Sequence, residues 1–451
     1  MTNGPETTAT PEPAASAPAS PVPEPASSLA PSTAASAPAP VSPPAPVSPA
    51  APTEPPTRYQ GRIGGLDIAR ALAIFGMFYA HVAPYHAEAT GIRGILLAIP
   101  DGRSSILFAL LAGVSLSILT GRNAPYTGEQ MRTARLRVFA RAATLLVIAG
   151  ALSVLGTPIA IILAFYAAWF VAALPFTRLP AKPLLIIAAT WAIIGPTLLP
   201  LITWTMENLY LWASGDSNGF VIDTFLTGTY PGLTYMAYVI AGMGIGRLDI
   251  TARRVQGWLL AAGCVLALVG YGASALLTNA LVPPAEDWAE SSSYQYEDAY
   301  GNLVSMEDGE WVSSDFSGDD EWTEPSPFQW QGSPLPSADA WVVAEPHTNT
   351  PFEAIGSGGF GIAVMALCLL GGALARNVLY PVAAAGSMSL SAYSLHIVIV
   401  AFHTDWVGGA RWTPLLGLIG ITLLCSTAWK HFFTRGPLEW IMWKVSLKAA
   451  S

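Results

Sequence analysis

Charge is what this chain lacks most. Only 11% of its 451 residues are charged and 52% are hydrophobic, whereas a soluble globular protein carries roughly 25% charged residues. So large a deficit excludes a soluble fold with one stray apolar segment and implies that most of the chain is dissolved in lipid. In hydrocarbon only helices and closed barrels satisfy every backbone group. The apolar runs are long and unbroken, which excludes the ten-residue alternation of a barrel and selects helices. Cysteine is scarce as well. Cys264, Cys368 and Cys425 lie inside apolar runs without metal-ligand spacing or an evident pairing, and they read as small buried hydrophobes. A Gly-rich phosphate loop followed by Lys-Ser/Thr, a zinc-ligand helix pattern, a Gly-x-Ser-x-Gly elbow and a nucleic-acid-binding basic surface are all missing. No metal and no nucleic-acid partner are expected.

Lys and Arg are absent from two whole stretches. Residues 1–57 have none, but hold 17 of the 38 prolines. Such a segment cannot bury enough apolar surface to offset its ordering entropy, and it reads as a disordered Pro/Ala-rich tail. Residues 279–352 also have none, yet carry 15 of the 30 acidic residues together with Trp288, Tyr294, Tyr296, Tyr300, Trp311, Trp322, Trp330 and Trp341. This connection is either a solvated loop or a folded cap whose aromatic faces stack on sugar rings.

Between and beyond these stretches the pattern predicts an all-α polytopic membrane protein of ten helices, near 64–84, 103–121, 136–156, 158–177, 183–204, 230–247, 256–279, 353–375, 380–402 and 412–433. Pro196 and Pro200 are expected to kink or end the fifth. Helices one to seven fall in 58–278, helices eight to ten in 353–433, and 434–451 forms a second tail. With ten spans the 21 Lys and Arg residues divide 18 to 3 between the two faces, the minority being Arg93, Arg103 and Arg411. By the positive-inside rule both termini are then cytoplasmic, in a plasma-membrane protein whose acidic connection lies outside.

Ionisable side chains inside a span are costly and mark function. The first helix carries Asp67, Arg70 and His81 in LDIARALAIFGMFYAH. Arg70 and His81 differ by only about 20° around the helix axis and stand about 16 Å apart along it. Arg70 lies towards the cytoplasm and His81 towards the outside. Asp67 and Arg70 read either as an i,i+3 ion pair or as part of an anion site. Near the level of His81 gather His86, Glu88, Asp101, Arg103, Ser104 and Ser105. His396, His403 and Asp405 join them from the ninth helix, and Glu353 from the start of the eighth. A polar, histidine-rich outer cavity is the resulting site hypothesis. Ala112, Gly113, Ser115 and Ser117 give the second helix a small-residue surface for close packing.

Four motifs occur in order: RIGGLDIARALAIFGMFYAH, GRSSILFALLAGVSLSIL, SLSAYSLH and RGPLEW. Together they resemble the transmembrane acyltransferases related to heparan-α-glucosaminide N-acetyltransferase and the bacterial YeiB-like proteins. The resemblance runs from about Arg62 to Trp440, and RGPLEW points to the YeiB-like branch. The Arg70–His81 spacing also resembles the acyltransferase-3 family. What the resemblance implies is acyl transfer across the membrane, from cytoplasmic acetyl-CoA or another acyl-CoA to an extracytoplasmic amine or hydroxyl on a glycan or envelope component. It puts His81 or His86 in the catalytic role, with His396 as a further candidate. Asp67, Arg70, Arg103 and Ser104 are the candidate donor-binding residues. A homodimer in the membrane lipid is expected. The competing class is a small-molecule transporter or exporter, although no internal repeat is evident.

Overall fold

A computed structural model of the chain describes residues 63–84, 91–209, 219–282, 295–297, 303–307, 310–313, 335–372 and 378–450. The proline-rich stretch 1–57 and most of the 279–352 connection lie outside the described residues. Thirteen helices carry the membrane part: α1 Gly64–Val82, α2 Gly91–Ala98, α3 Arg103–Leu119, α4 Gly128–Ser153, α5 Ile162–Ala172, α6 Ala181–Asn208, α7 Gly232–Gly246, α8 Arg253–Leu281, α9 Pro351–Leu370, α10 Tyr380–Gly386, α11 Ser389–Ala401, α12 Thr413–Phe432 and α13 Pro437–Lys448. Three short antiparallel strands, β1 Gln295–Glu297, β2 Leu303–Glu307 and β3 Glu310–Ser313, pair in order within the acidic connection.

Every apolar segment read from the sequence is helical, but the expected ten spans reduce to fewer. Among the described residues seven helices are long and apolar enough to cross a membrane, with α2 and α3 counted as one, or up to eight if the bent pair α10–α11 counts as one span. The shortfall is geometric. At 1.5 Å per residue the 11 residues of α5 reach only about 16 Å and the 15 of α7 about 22 Å, against a hydrocarbon core of about 30 Å. A 3-10 turn, Leu174–Arg178, extends the first of these. The ninth segment is not one helix, since α10 and α11 meet at 81°. The third expected helix, near 136–156, begins earlier: α4 starts at Gly128, so Arg132 and Arg135 also stand on a helix. Pro196 and Pro200 sit inside α6 without ending it. The expected tail after 434 contains α13.

The helices sort into an inner and an outer set. α1 packs against α3, α9, α10, α11 and α12 and occupies the centre. The apolar stretches of α1 and α9 are each 61% buried, whereas those of α4, α6, α8 and α12 are only 22–33% buried. The outer helices turn Val147, Val154, Leu268, Leu276 and Leu424 outward, as lipid-facing helices do. Cys264 and Cys425 share those outward faces and only Cys368 is buried; all three are free thiols. The small-residue surface of α3 packs as expected. A Cβ on Gly113 would stand 1.9 Å from the Val239 carbonyl oxygen, and one on Gly242 of α7 would stand 2.0 Å from that of Leu110. Only glycine permits this approach of two backbones.

Where the chain leaves a helix, charged side chains satisfy the exposed backbone. Arg247, 4% exposed, follows α7. Its Nη1 donates to the carbonyls of Ser117 and Thr120 at 3.2 Å and of Arg122 at 2.8 Å. Its Nη2 donates to Thr120 Oγ1 at 2.8 Å and to the Thr177 carbonyl at 2.6 Å. One guanidinium thus ties the end of α3 to the 3-10 turn and to α7. Removing it leaves several buried acceptors unpaired. We expect Arg247→Ala to cost about 3–5 kcal/mol of stability, read as a lower thermal midpoint in detergent, while Thr120→Val, which removes one of the guanidinium's bonds and the hydroxyl's own bond to the Leu116 carbonyl, costs about 1–2 kcal/mol.

Candidate active site

The first turns of α1 place an acid and a base side by side. Arg70 Nη1 donates to Asp67 Oδ1 at 2.6 Å, across one helical turn. Asp67 is 2% exposed, so its charge stands in a low-dielectric core and needs this partner. Arg70 Nη2 reaches Ser115 Oγ on α3 at 3.2 Å. The break after α10 closes over the same point, since a Cβ on Gly386 would lie 1.7 Å from the Asp67 carbonyl oxygen. The ion-pair reading of Asp67 and Arg70 therefore holds, and it does not consume Arg70, whose side chain remains 20% exposed.

Arg70 opens onto a cavity of about 500 Å³. Arg141 of α4 and Arg435, just before α13, share its lining with Phe108, Tyr166 and Glu439. Arg141 Nε is buried without a hydrogen-bond partner. Arg435 lies over the Trp443 ring at 4.2 Å. The one acid in the lining is already engaged. Glu439 Oε1 accepts from the backbone N–H of Leu390 at 2.8 Å and of Ser391 at 3.1 Å, and its Oε2 accepts from the Ser391 hydroxyl at 2.5 Å. Three guanidinium groups thus face one cavity, a donor set suited to phosphates. Arg435 is the arginine of RGPLEW, so the motif marked it while leaving its role unstated. That Arg141 points here, unlike the other arginines of its stretch, depends on how α4 is rotated in the bundle.

At the other end of α1, His81 meets His396. Nδ1 of His81 lies 3.0 Å from Nε2 of His396, and the rings stack at 5.3 Å between centroids and 7° between planes. His396 is 1% exposed and is held between Phe78 and Tyr393. Its Nδ1 also bonds the Tyr393 carbonyl. That contact sets the tautomers when both rings are neutral. A carbonyl only accepts, so His396 Nδ1 then carries the hydrogen and Nε2 is the acceptor. His81 Nδ1–H then donates to it. The remaining His81 nitrogen, Nε2, holds a lone pair and has no partner among the described residues. Two histidines 315 positions apart therefore form a directed chain ending in a free base.

The other candidates fall elsewhere. His86 and Glu88 lie outside the described residues. Arg103 and Ser104 do not line the arginine cavity; they stand at the opposite end of α3 from Ser115. Arg103 Nε donates to the Tyr271 hydroxyl at 2.6 Å and its Nη1 to the Ala98 carbonyl at 2.7 Å, while Ser104 Oγ donates to the Pro100 carbonyl at 2.8 Å. Ser105 bonds the Tyr235 hydroxyl at 2.9 Å. Glu353 accepts from the backbone N–H of His347 at 2.9 Å and of Asn349 at 2.6 Å, and its own N–H is capped by Thr350 Oγ1 at 3.1 Å. It organises a turn in which His347 and Asn349 have positive φ. His403 stacks on Trp406 at 4.4 Å, away from the pair. Among the described residues no three His, Cys, Asp or Glu side chains are grouped to hold a metal ion. Neither histidine of the pair lines the arginine cavity, whose lining includes Phe108 and Tyr166.

Two known families match parts of the chain. Residues 62–278 match the family described as heparan-alpha-glucosaminide N-acetyltransferase, catalytic. Residues 339–448 match a family described as protein of unknown function, DUF418, the YeiB-like group. Among curated proteins no match was found. The arginine cavity and the histidine pair each draw on both matched stretches, since Arg70, Arg141 and His81 lie in the first and Arg435 and His396 in the second. On a bundle of apolar helices, the chain is a multi-pass membrane protein that is similar to the acetyltransferase catalytic family over 62–278 and to DUF418 over 339–448.

Proposed function

We propose that the chain is an acyl-CoA-dependent transmembrane acyltransferase, most simply an acetyltransferase, that modifies an amine or hydroxyl of an extracytoplasmic glycan or envelope component. One observation supports this above the rest: a single central helix carries Arg70 on a three-arginine cavity at one end and a proton-accepting histidine pair at the other. Arg70, Arg141 and Arg435 gather at one end of the bundle, which supports a cytoplasmic arginine end, and with eight spans both termini lie on one side.

In this reading Arg70, Arg141 and Arg435 bind the phosphates of the donor, and its thioester arm extends along α1 past Phe108 and Tyr166. Those two side chains have to part, because neither histidine lines the cavity as it stands. The acceptor approaches His81 from the opposite face. His81 Nε2 takes the acceptor's proton as the acceptor N or O attacks the thioester carbonyl. The new bond to the acyl carbon forms, the C–S bond breaks, and the leaving thiolate collects a proton. His396 holds His81 in the tautomer that exposes Nε2, and it disperses the positive charge His81 gains. Arg103 and Ser104 are engaged within the protein at the histidine end, so we assign them to building that end and not to donor binding.

Transport is the competing class, and the broken α10–α11 pair is the feature that favours it. Turnover decides between them. His81→Asn is expected to lower kcat by about 10²–10⁴ and to abolish the fall in rate at acid pH that protonation of the base produces. His396→Phe is expected to give a smaller loss, since it removes orientation and not the base. Unchanged rates in purified His81→Asn would contradict the assignment. Arg141→Gln and Arg435→Gln are each expected to raise the KM for acetyl-CoA about tenfold, the loss of one charge-assisted contact of about 1.5 kcal/mol, with little change in kcat. Acetyl-CoA should raise the thermal midpoint of the parental protein and do so less in these two variants.

A further inference from the structure

A second cavity, of about 420 Å³, lies between the first turns of α4 and the 3-10 turn Leu174–Arg178. Arg132, Arg135 and Arg178 line it, together with Leu136, Phe139 and Leu174, and no acidic residue lines it. Arg135 is anchored: its Nε donates to Thr177 Oγ1 and its Nη2 to the Leu174 carbonyl, each at 3.1 Å. Its Nη1 has no partner among the described residues. Arg178 is exposed and makes no polar contact among the described residues. Arg132 has only a solvent-exposed pair with Glu129 at 3.5 Å, an interaction of little strength.

The positions of these residues along α4 define the ligand. Arg132, Arg135, Leu136 and Phe139 follow the i, i+3, i+4, i+7 spacing of one helix face. The charges come first, near the end of a candidate span, where a helix passes through the headgroup layer. The apolar residues come next and are exposed, Phe139 at 56%, and the same side of the helix continues outward through Leu146 and Val147, the latter 73% exposed. A free phosphate needs no such apolar track. A lipid needs both parts: guanidinium groups for a phosphate and an adjoining groove for acyl chains.

We infer that this cavity binds the phosphate headgroup of an anionic phospholipid, with the acyl chains lying along α4 from Leu136 to Val147. The site is separate from the Arg70 cavity and shares no lining residue with it.

The test uses the full-length protein purified in neutral detergent, titrated with phosphatidylglycerol, phosphatidylcholine or inorganic phosphate and followed by thermal midpoint and native mass spectrometry. Phosphatidylglycerol should raise the midpoint and remain bound, and phosphatidylcholine and inorganic phosphate should not. Arg132→Gln and Arg178→Gln are both at exposed positions and should fold; each should weaken phosphatidylglycerol about fivefold, as expected for one basic residue near an anionic lipid surface. Equal responses to the two lipids, an equal response to inorganic phosphate, or undiminished phosphatidylglycerol binding when Arg132→Gln and Arg178→Gln are combined would overturn the proposal. Arg141→Gln, in the other cavity, is the control and should leave phosphatidylglycerol binding unchanged.

Discussion

In a bundle that stands in hydrocarbon, backbone that leaves a helix has no water to bond, and this constraint shapes the rest of the structure. Three charged side chains meet it. Arg247 collects the carbonyls at the end of α3 and in the 3-10 turn. Glu439 collects the N–H groups at the start of α11. Glu353 collects those of the turn before α9. Each places a full charge against several partial charges of opposite sign. Such charge-assisted bonds are the strong ones, and they let the chain break its helices where a cavity or a site has to be.

The break between α10 and α11 shows what this makes possible. An uninterrupted helix through residues 380–402 would carry Gly386 and His396 along one straight axis. With the 81° bend, Gly386 packs against the Asp67 carbonyl at one end of α1, and His396 still reaches His81 near its other end. α1 is thereby gripped at both ends by one segment. Glu439 holds that bend from α13, and α13 also closes the arginine cavity with Trp443. Arginine cavity, bend and histidine pair are consequently one connected arrangement, built from both family-matched stretches of the chain.

Much of this was legible in the sequence because it lies within one helix. The 3.6-residue period alone puts Asp67 beside Arg70, and it puts Arg70 and His81 on one stripe. His396 was legible as a histidine at the matching depth of a distant span, and the structure brings it to His81. The rest depends on tertiary facts that no local pattern carries. Hydropathy joined α10 and α11 because the residues at the break, Gly386, Ser387 and Met388, are no more polar than their surroundings. It also credited α5 and α7 with full spans, since apolar composition reports burial in protein and in lipid alike. Glu353 read as a site residue and Arg247 as a topological charge, because a sequence shows the charge but not the backbone it satisfies. Arg141 was one of several arginines on its stretch until the rotation of α4 singled it out.

The account rests on α1 as the link between a donor at Arg70 and a base at His81. An experimental structure of the protein saturated with acetyl-CoA tests that link most directly. The account predicts phosphate density among Arg70, Arg141 and Arg435, with the pantetheine arm running past displaced Phe108 and Tyr166 towards His81. Phosphate density at the Arg103 end of α3, or an arginine cavity that stays empty at saturating ligand, would contradict it.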